Sequence, residues 1–370
     1  MTKSSVYLCP NPRVRALHET TVQEAISRHI AALLNCEFRG NRDDLQARHG
    51  DCYYVPADTL VGCPHGLLSD LGEEDFFGGV VPARWVGTKV ISHPLWHPDS
   101  VAPPGWSHSF MEQAGECVLK GYSVFSLDDA LECGTFLLER GPIRLKLPEF
   151  KAGKGQLLIT NAMELHLALA GMSPQAIANT GLVIEEHITG VMTYSVGQIN
   201  VNGLTASYVG TQGLTTNNEG EQVYGGSRLL IARGGYDQLL ELPLSARTAT
   251  AISQARTYEQ AALDAFDGLV LSRRNYDVAQ GINAAGEFVS GVLEQSWRIG
   301  GASSAEIFGL SHLCENLSVP HVLASSIELY GEHVSVPEGA EVLYQGCDAD
   351  VGPITRCVMV SEYHGANASA

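Results

Sequence analysis

Arg273-Arg-Asn275-Tyr-Asp277-Val-Ala-Gln-Gly-Ile-Asn-Ala-Ala285-Gly286-Glu-Phe-Val-Ser-Gly-Val-Leu293-Glu294-Gln-Ser296-Trp-Arg298 is the stretch that decides the fold of this chain. Folded about its Ala285–Gly286 step, it sets Asp277 opposite Glu294, Asn275 opposite Ser296 and Arg273 opposite Arg298. In a β-hairpin, directly opposed residues have Cβ atoms roughly 5 Å apart and alternate residues share a face. One face then carries two carboxylates, an amide and a hydroxyl, with an arginine pair at one end. Oxygen donors set that close want a hard divalent cation, and opposed arginines want an anion. A magnesium ion carrying phosphates answers both demands. Ala-Gly is a poorer turn than Asn-Gly, and a one-residue slip would send the set to opposite faces. The competing reading is a surface hairpin with scattered polar residues.

Composition narrows the classes. The 370 residues suffice for two or three domains, and no apolar run is long enough to span a bilayer. Met1 to Val6 lacks the opening of a secretory leader, and nine cysteines are scattered without a C-x-x-C pair. Free thiols in a cytoplasmic protein are the expectation. A net charge of −18 argues against nucleic-acid and anionic-membrane partners. Lysine is scarce: Lys3, Lys89, Lys120, Lys146, Lys151 and Lys154 are the whole set, and the last three crowd into nine residues. That cluster is expected to hold something negative.

Outward from the hairpin, the pattern predicts alternating elements. Val6–Cys9 is a strand, and Thr21-x-x-Glu24 caps a helix with apolar residues at helical spacing. Cys52–Pro56 and Val80–Val81 are further strands, and the Pro/His/Trp-rich passage from Val86 to Lys120 is a loop. Ser126-x-x-Asp129 and Asn161-x-x-Glu164 open two more helices, between which Ile143–Leu147 and Gln156–Thr160 pair around a glycine- and lysine-bearing loop. Gly181–Ile188 is a strand ending in two glutamates. A long hairpin from Thr193 turns at Asn202-Gly203, a type I′ signal. Helices are predicted near Ala246–Phe266 and Ser303–Glu315, and a strand at Val322–Tyr330.

Two further segments carry chemistry. In Ile143-Arg-Leu-Lys146-Leu-Pro-Glu-Phe-Lys151-Ala-Gly153-Lys154-Gly155, a strand lysine and a flexible loop can converge ammonium and main-chain N–H groups on phosphates. The Walker A spacing is absent, and a solvated hairpin tip is the alternative. Leu182-Val-Ile-Glu185-Glu186-His187-Ile188 can present carboxylates and main-chain groups to adenine and ribose, or be an ordinary polar strand end. His93, His97 and His108 invite a zinc reading, but Pro94 and Pro98 break the helix that an i,i+4 ligand pair needs. Trp297 is assigned to the core by default.

The order of these segments resembles the ATP-grasp superfamily over most of Lys89 to Ser303. The resemblance implies an α+β chain: a small Rossmann-like α/β domain (1–88), then an ATP-grasp pair of subdomains, 89–188 with a Pro-rich insertion and 189–370 with the metal-binding hairpin. It also resembles an uncharacterised bacterial family of ATP-grasp-like proteins. Gly141-Pro-Ile-Arg-Leu-Lys146 with Gly153-Lys154-Gly155 matches the family's strand lysine and glycine-rich loop, and Gly87-Thr88-Lys89 its earlier phosphate-facing lysine. Glu185-Glu186-His187-Ile188 matches the hinge that receives adenine. Asn275-Tyr-Asp277 and Glu294-Gln-Ser296-Trp-Arg298 match the two metal-binding strands. The family has Asn where this chain has Ser296, and Asn275 across the hairpin is the candidate replacement. It also has a ribose-gripping glutamate near Thr193, for which Glu185 or Glu186 would substitute.

The resemblance implies an ATP-dependent ligase joining a carboxylate to an amine or similar nucleophile through an acyl phosphate. Lys146, the Lys151–Gly155 loop and Lys89 would hold the phosphates. Asp277 and Glu294, with Asn275 or Ser296, would hold Mg2+. Arg298, with Arg273 or Arg274, would steady the reacting groups. Rival expectations are a catalytically degenerate nucleotide sensor or scaffold, and a small-molecule kinase with the same clamp. Substrate specificity is expected in the Trp85–Ser109 and Gly210–Gly226 loops. Small-molecule substrates are the expected partners, with a homodimer the oligomer to consider.

Overall fold

The computed structural model describes residues 3–11, 16–42, 50–62, 71–149 and 155–363. Strands Arg273–Ile282 and Phe288–Ser296 form the expected antiparallel pair, with Asn275 facing Ser296 and Asp277 facing Glu294. At its outer limb the pairing is shifted by one residue from the expected register, which centres the turn on Ala285. Asn283 N–H donates to Glu287 O at 3.0 Å and Gly286 N–H to Asn283 O at 3.0 Å. Asn283 Oδ1 also accepts the Ala285 and Glu287 N–H groups at 3.0 Å each. Val278 consequently faces Val292, and a bulge between Asp277 and Val278 takes up Leu293 and restores the expected register at the acids. The ladder ends at Ser296, so Arg273 and Arg298 are not a cross-strand pair.

This hairpin is one edge of an eight-stranded antiparallel sheet. From that edge its order is Phe288–Ser296, Arg273–Ile282, Thr189–Val201, Leu204–Thr216, Gln222–Arg233, His321–Tyr330, Gly352–Glu362 and Glu341–Asp348. Period-two alternation sends Val196, Tyr276 and Val278 against helix Ala246–Ala265. Ile199, Tyr208 and Ile231 face the other way, against helix Ser303–Glu315, which is backed by helix Leu17–Leu33. Asn275, Asp277, Glu294 and Ser296 belong to this second face. The Asn202-Gly203 turn forms as expected, both residues having positive φ of 56° and 71°.

A separate four-stranded antiparallel sheet runs in the order Gly121–Val124, Leu182–Glu186, Ile143–Lys146, Gln156–Ile159. Helices Leu127–Leu138 and Ala162–Ala170 cover the face formed by Ile143, Leu145 and Ile184. Their caps are those the sequence predicts: Ser126 Oγ accepts Asp129 N–H at 3.1 Å, and Asn161 Oδ1 accepts Glu164 N–H at 3.0 Å. Arg144, Lys146, Val183 and Glu185 share the opposite face. Near the N-terminus, Ser5–Cys9 lies between Glu37–Asn41 and Cys52–Pro56 in a parallel sheet. The first helix begins at Leu17, a turn before the expected cap; Thr21 Oγ1 instead donates to Leu17 O inside it, at 2.8 Å. Gly79–Val81 pairs with Val270–Leu271, so strand pairing joins the N-terminal region to the second half of the chain.

Two expected loops are ordered otherwise. Gly210–Gly226 lies mostly in strands that cross at a tight turn, where Asn217 N–H donates to Glu221 O at 2.9 Å. Its glycines serve close strand approach: a Cβ on Gly226, whose φ is 131°, would lie 2.0 Å from Ser326 O. The Pro-rich passage and its entry hold three 3-10 turns, Arg84–Gly87, Lys89–Ser92 and Gly115–Cys117, and the short helix His108–Ala114. It lies along the exposed edge of Phe288–Ser296: Gln295 Nε2 donates to Val86 O at 2.9 Å and Thr88 O at 2.8 Å, and Val118 bridges Val292. An edge strand that would otherwise be open is thereby covered.

Candidate active site

Asp277 is held from one flank and repelled from the other. Its Oδ1 accepts Gln212 Nε2 at 2.8 Å and Ser195 Oγ at 3.3 Å. Ser195 is its cross-strand neighbour, and Gly210 opposite Ser195 has no side chain, so Gln212 reaches across diagonally. On the other flank stands Glu294. Burial and then the Glu294 charge push Asp277 up to about 6, against the Gln212 and Ser195 hydrogen bonds and the Lys89 charge. Lys89 is 5% exposed, and its Nζ lies 2.6 Å from Glu294 Oε2. Asn275 donates Nδ2 to Tyr208 Oη at 3.2 Å, which leaves its Oδ1 as an acceptor. Ser296 Oγ accepts Arg273 Nη1 at 3.3 Å.

A second charged group forms on the four-stranded sheet. Lys146, 4% exposed, is ion-paired with Glu185 Oε1, and His93 Nε2 lies 3.1 Å from Glu185 Oε2. Burial alone would raise Glu185, but the Lys146 ammonium and the His93 contact bring it down to about 2. Gly121 makes this possible. A Cβ there would lie 2.7 Å from Ile184 O, 2.8 Å from Glu185 Cβ and 2.9 Å from His93 Cε1. Gly121→Ala is therefore expected to lower stability by about 1–3 kcal/mol, read as a fall in melting temperature. Wild-type stability in that variant would contradict the packing described.

The two groups are joined by five residues. Lys89 reaches the acidic hairpin and His93 reaches Glu185, with the 3-10 turn Lys89–Ser92 between them. At about 2 Å of rise per residue, that turn spans roughly 8 Å. His93 is the residue that the sequence alone did not assign to this site. Its distance in sequence from Glu185 gives no local signal, and the zinc reading drew attention to the wrong partners. Among the described residues no group of three or more His, Cys, Asp or Glu could hold a metal.

The other residues expected to receive adenine lie beside this group. Glu186 Oε1 accepts Lys120 N–H at 3.1 Å, and His187 N–H donates to Pro142 O at 2.9 Å. Arg144 Nε lies 3.2 Å from His187 Nδ1; burial and then the Arg144 charge lower the pKa of this imidazole. Ile188 packs with Leu119 and Ala279, and Leu293 closes over them, which brings the end of strand Leu182–Glu186 against the hairpin bulge. Gly155, with φ of 66°, accepts Leu147 N–H at 3.1 Å. Lys151, Gly153 and Lys154 lie outside the described residues.

The arginines divide. Arg273 is corrected from reacting group to core residue. At 1% exposure it gives Nε to Glu306 Oε2 at 2.9 Å and Nη2 to Glu306 Oε1 at 2.5 Å. Its Nη1 serves Ser296 O at 2.8 Å and Arg298 O at 2.6 Å. Arg274 is corrected too: alternation sends it to the opposite face, where Nε lies 3.2 Å from Glu259 Oε1 and Nη1 donates to Leu271 O at 2.5 Å. Arg298 stays near the acids, its Nε 4.0 Å from Asp58 Oδ1 and its Nη1 donating to Ile299 O at 2.9 Å. Burial and the Arg273 charge lower its pKa, while Asp58 and Glu294 oppose them.

The donor set suits a hard divalent cation: two facing carboxylates, one of them strained towards its neutral form, with amide and hydroxyl oxygens adjacent. The strain has a testable sign. Folded Asp277 binds its proton more tightly than the unfolded chain does, so metal-free stability is greatest at low pH and falls as pH rises from 3.8 through about 6. Asp277→Asn should stabilise the chelator-treated protein by about 1–3 kcal/mol at pH 8 and by little at pH 4, measured by urea unfolding. Equal effects at both pH values would refute the strained carboxyl.

The chain has the fold of the ATP-grasp proteins. The biotin carboxylase domain of Hydrogenobacter thermophilus 2-oxoglutarate carboxylase, crystallised as a dimer with MgADP, ADP and bicarbonate, is 10% identical at a TM-score of 0.52, over 98% of this chain and 87% of that one. Pyruvate carboxylase from Rhizobium etli is 11% identical at 0.50, over 98% of this chain and 36% of that one. Phosphoribosylamine–glycine ligase from Thermotoga maritima is 14% identical at 0.47, over 97% and 92%. The chain belongs to the family described as Protein of unknown function (DUF3182), whose model matches residues 6–358. No curated protein matches it significantly. Among the described residues no helix is long and apolar enough to cross a membrane.

Proposed function

We propose that the protein is an ATP-dependent ligase that joins a small-molecule carboxylate to an amine or related nucleophile. One observation carries the reading: the Lys89–His93 segment bonds at one end to the Asp277–Glu294 hairpin and at the other to the Lys146–Glu185 pair. A divalent-cation donor set linked by one short segment to a strand lysine suits a nucleoside triphosphate. Lys146 and Lys89 would pair with its phosphates, while Glu186, His187 and Ile188 would line the adenine. Asp277 and Glu294, with Asn275 or Ser296, would hold Mg2+, which supplies positive charge to the β- and γ-phosphate oxygens when bound.

The carboxylate substrate would attack the γ-phosphorus in line, releasing ADP and leaving an acyl phosphate. The amine would then displace phosphate, losing a proton as the amide forms. Arg298 is the guanidinium beside Glu294, suited to the acyl phosphate and to the oxyanion of the second step. Lys89 and Lys146 hold the phosphates in line, so their contribution is one of position and charge.

ADP release measured against a panel of carboxylates, with and without amines, tests this. Turnover that needs both substrates supports the ligase. A phosphorylated product without an amine requirement would make it a kinase, and ATP binding without turnover on any substrate would make it a sensor.

A further inference from the structure

Lys89 has its ammonium against one of the two facing carboxylates, and its main chain is fixed by the very strand it neutralises. Gln295, next to Glu294, donates to the carbonyls of Val86 and Thr88 at 2.9 and 2.8 Å. Thr88 Oγ1 accepts Val90 N–H at 3.4 Å and so caps the turn that begins at Lys89. At the turn's far end Ser92 Oγ lies 2.9 Å from Tyr258 Oη, which donates to Gln295 Oε1 at 3.1 Å. The ammonium lies 2.6 Å from Glu294 Oε2. Its four-carbon stem can swing while the Cα stays fixed.

We infer that Lys89 is a built-in counter-ion that closes the Asp277–Glu294 pair to free divalent cations and opens it when a polyphosphate draws the ammonium away. This inference rests on the reading of Asp277 and Glu294 as metal ligands. Two facing carboxylates require positive charge, and an ammonium and a divalent cation compete for the same Glu294 oxygen. A polyphosphate competes with Glu294 for the ammonium. Metal and nucleotide are then coupled, each raising the affinity of the other by the same factor. The site would take up its metal with the nucleotide, not from free cation in solution.

The test is titration of Mn2+ alone, followed by the paramagnetic resonance of the free ion, into nucleotide-free wild type, Lys89→Met and Lys89→Arg. Lys89→Met should bind about 10-fold more tightly than wild type, within the usual range of coupling between sites, and Lys89→Arg should stay with wild type. Lys89→Gln serves as the neutral variant if the methionine protein does not fold. Equal or weaker binding by the neutral variant, with tight binding once a non-hydrolysable ATP analogue is added, would overturn the counter-ion while leaving the metal ligands standing. No Mn2+ binding by any form, with or without the analogue and irrespective of Glu294→Gln, would overturn the metal reading and this inference with it.

Discussion

Glu294→Gln should lower the proposed Mg2+-dependent ATP turnover by about 10²- to 10³-fold, the usual loss when one charge-positioning group is removed from a reacting centre. The substitution keeps shape and one oxygen but removes the charge. Lys89, which lies 2.6 Å from Glu294 in the wild type, is left facing Asp277, itself relieved of a repelling neighbour. Asp277 remains as counter-charge to the buried Lys89 ammonium, so the fall in unfolding free energy should stay below the roughly 3–5 kcal/mol typical of breaking a buried pair from one side. Steady-state ADP release and thermal melts measure the two quantities separately. Normal turnover in a well-folded variant would remove Glu294 from the site.

Lys146→Met has a different signature. Lys146 and Glu185 are 4% and 2% exposed, so the variant strands a buried carboxylate with only His93 beside it. Breaking a buried pair from one side typically costs about 3–5 kcal/mol. Removing both charges, in Lys146→Met with Glu185→Gln, should recover most of that stability. ATP affinity should stay low in both, because the double variant restores packing without restoring an ammonium. Recovery of nucleotide binding along with stability would show that Lys146 acts only as a core cation. Calorimetric ATP titration beside urea unfolding distinguishes the two roles.

Local signals in the sequence carried far. Ser126 and Asn161 cap the helices they precede, and Asn202-Gly203 turns the central hairpin, because each acts through its nearest backbone. The register at Asp277 and Glu294 was legible for a less direct reason. The outer pairs lie one residue out of the expected register, and the Leu293 bulge compensates before the acids are reached. Strand Gln222–Arg233 was hidden because the glycine-rich Gly210–Gly226 segment reads as a loop until a neighbouring strand demands close approach, and Glu341–Asp348 and Gly352–Glu362 lie beyond the last element read from the sequence.

The candidate site was half legible. Residue types and spacing marked Asp277, Glu294, Lys89 and Lys146, but not which carboxylate each lysine meets. Those pairings depend on the path of the Pro-rich passage along the sheet edge, which no local pattern specifies. Arg273 and Arg274 were misread for the same reason. Adjacent in sequence, they leave the strand on opposite faces, one to Glu306 and the other to Glu259. His93 needed Gly121, far along the chain, to clear its space.

The Arg273–Glu306 pair has a mechanical consequence. Arg273 clamps the carbonyls of Ser296 and Arg298, and Glu306 belongs to the helix that rests on Leu17–Leu33. The open end of the hairpin is thus bolted, through that helix, to the first helix of the chain. Removing Leu17–Leu33 would slacken the backbone under Arg298 while sparing Lys89, Lys146, Asp277 and Glu294. Hydrogen exchange should find the amides around Ser296 and those of Leu17–Leu33 opening as one cooperative unit.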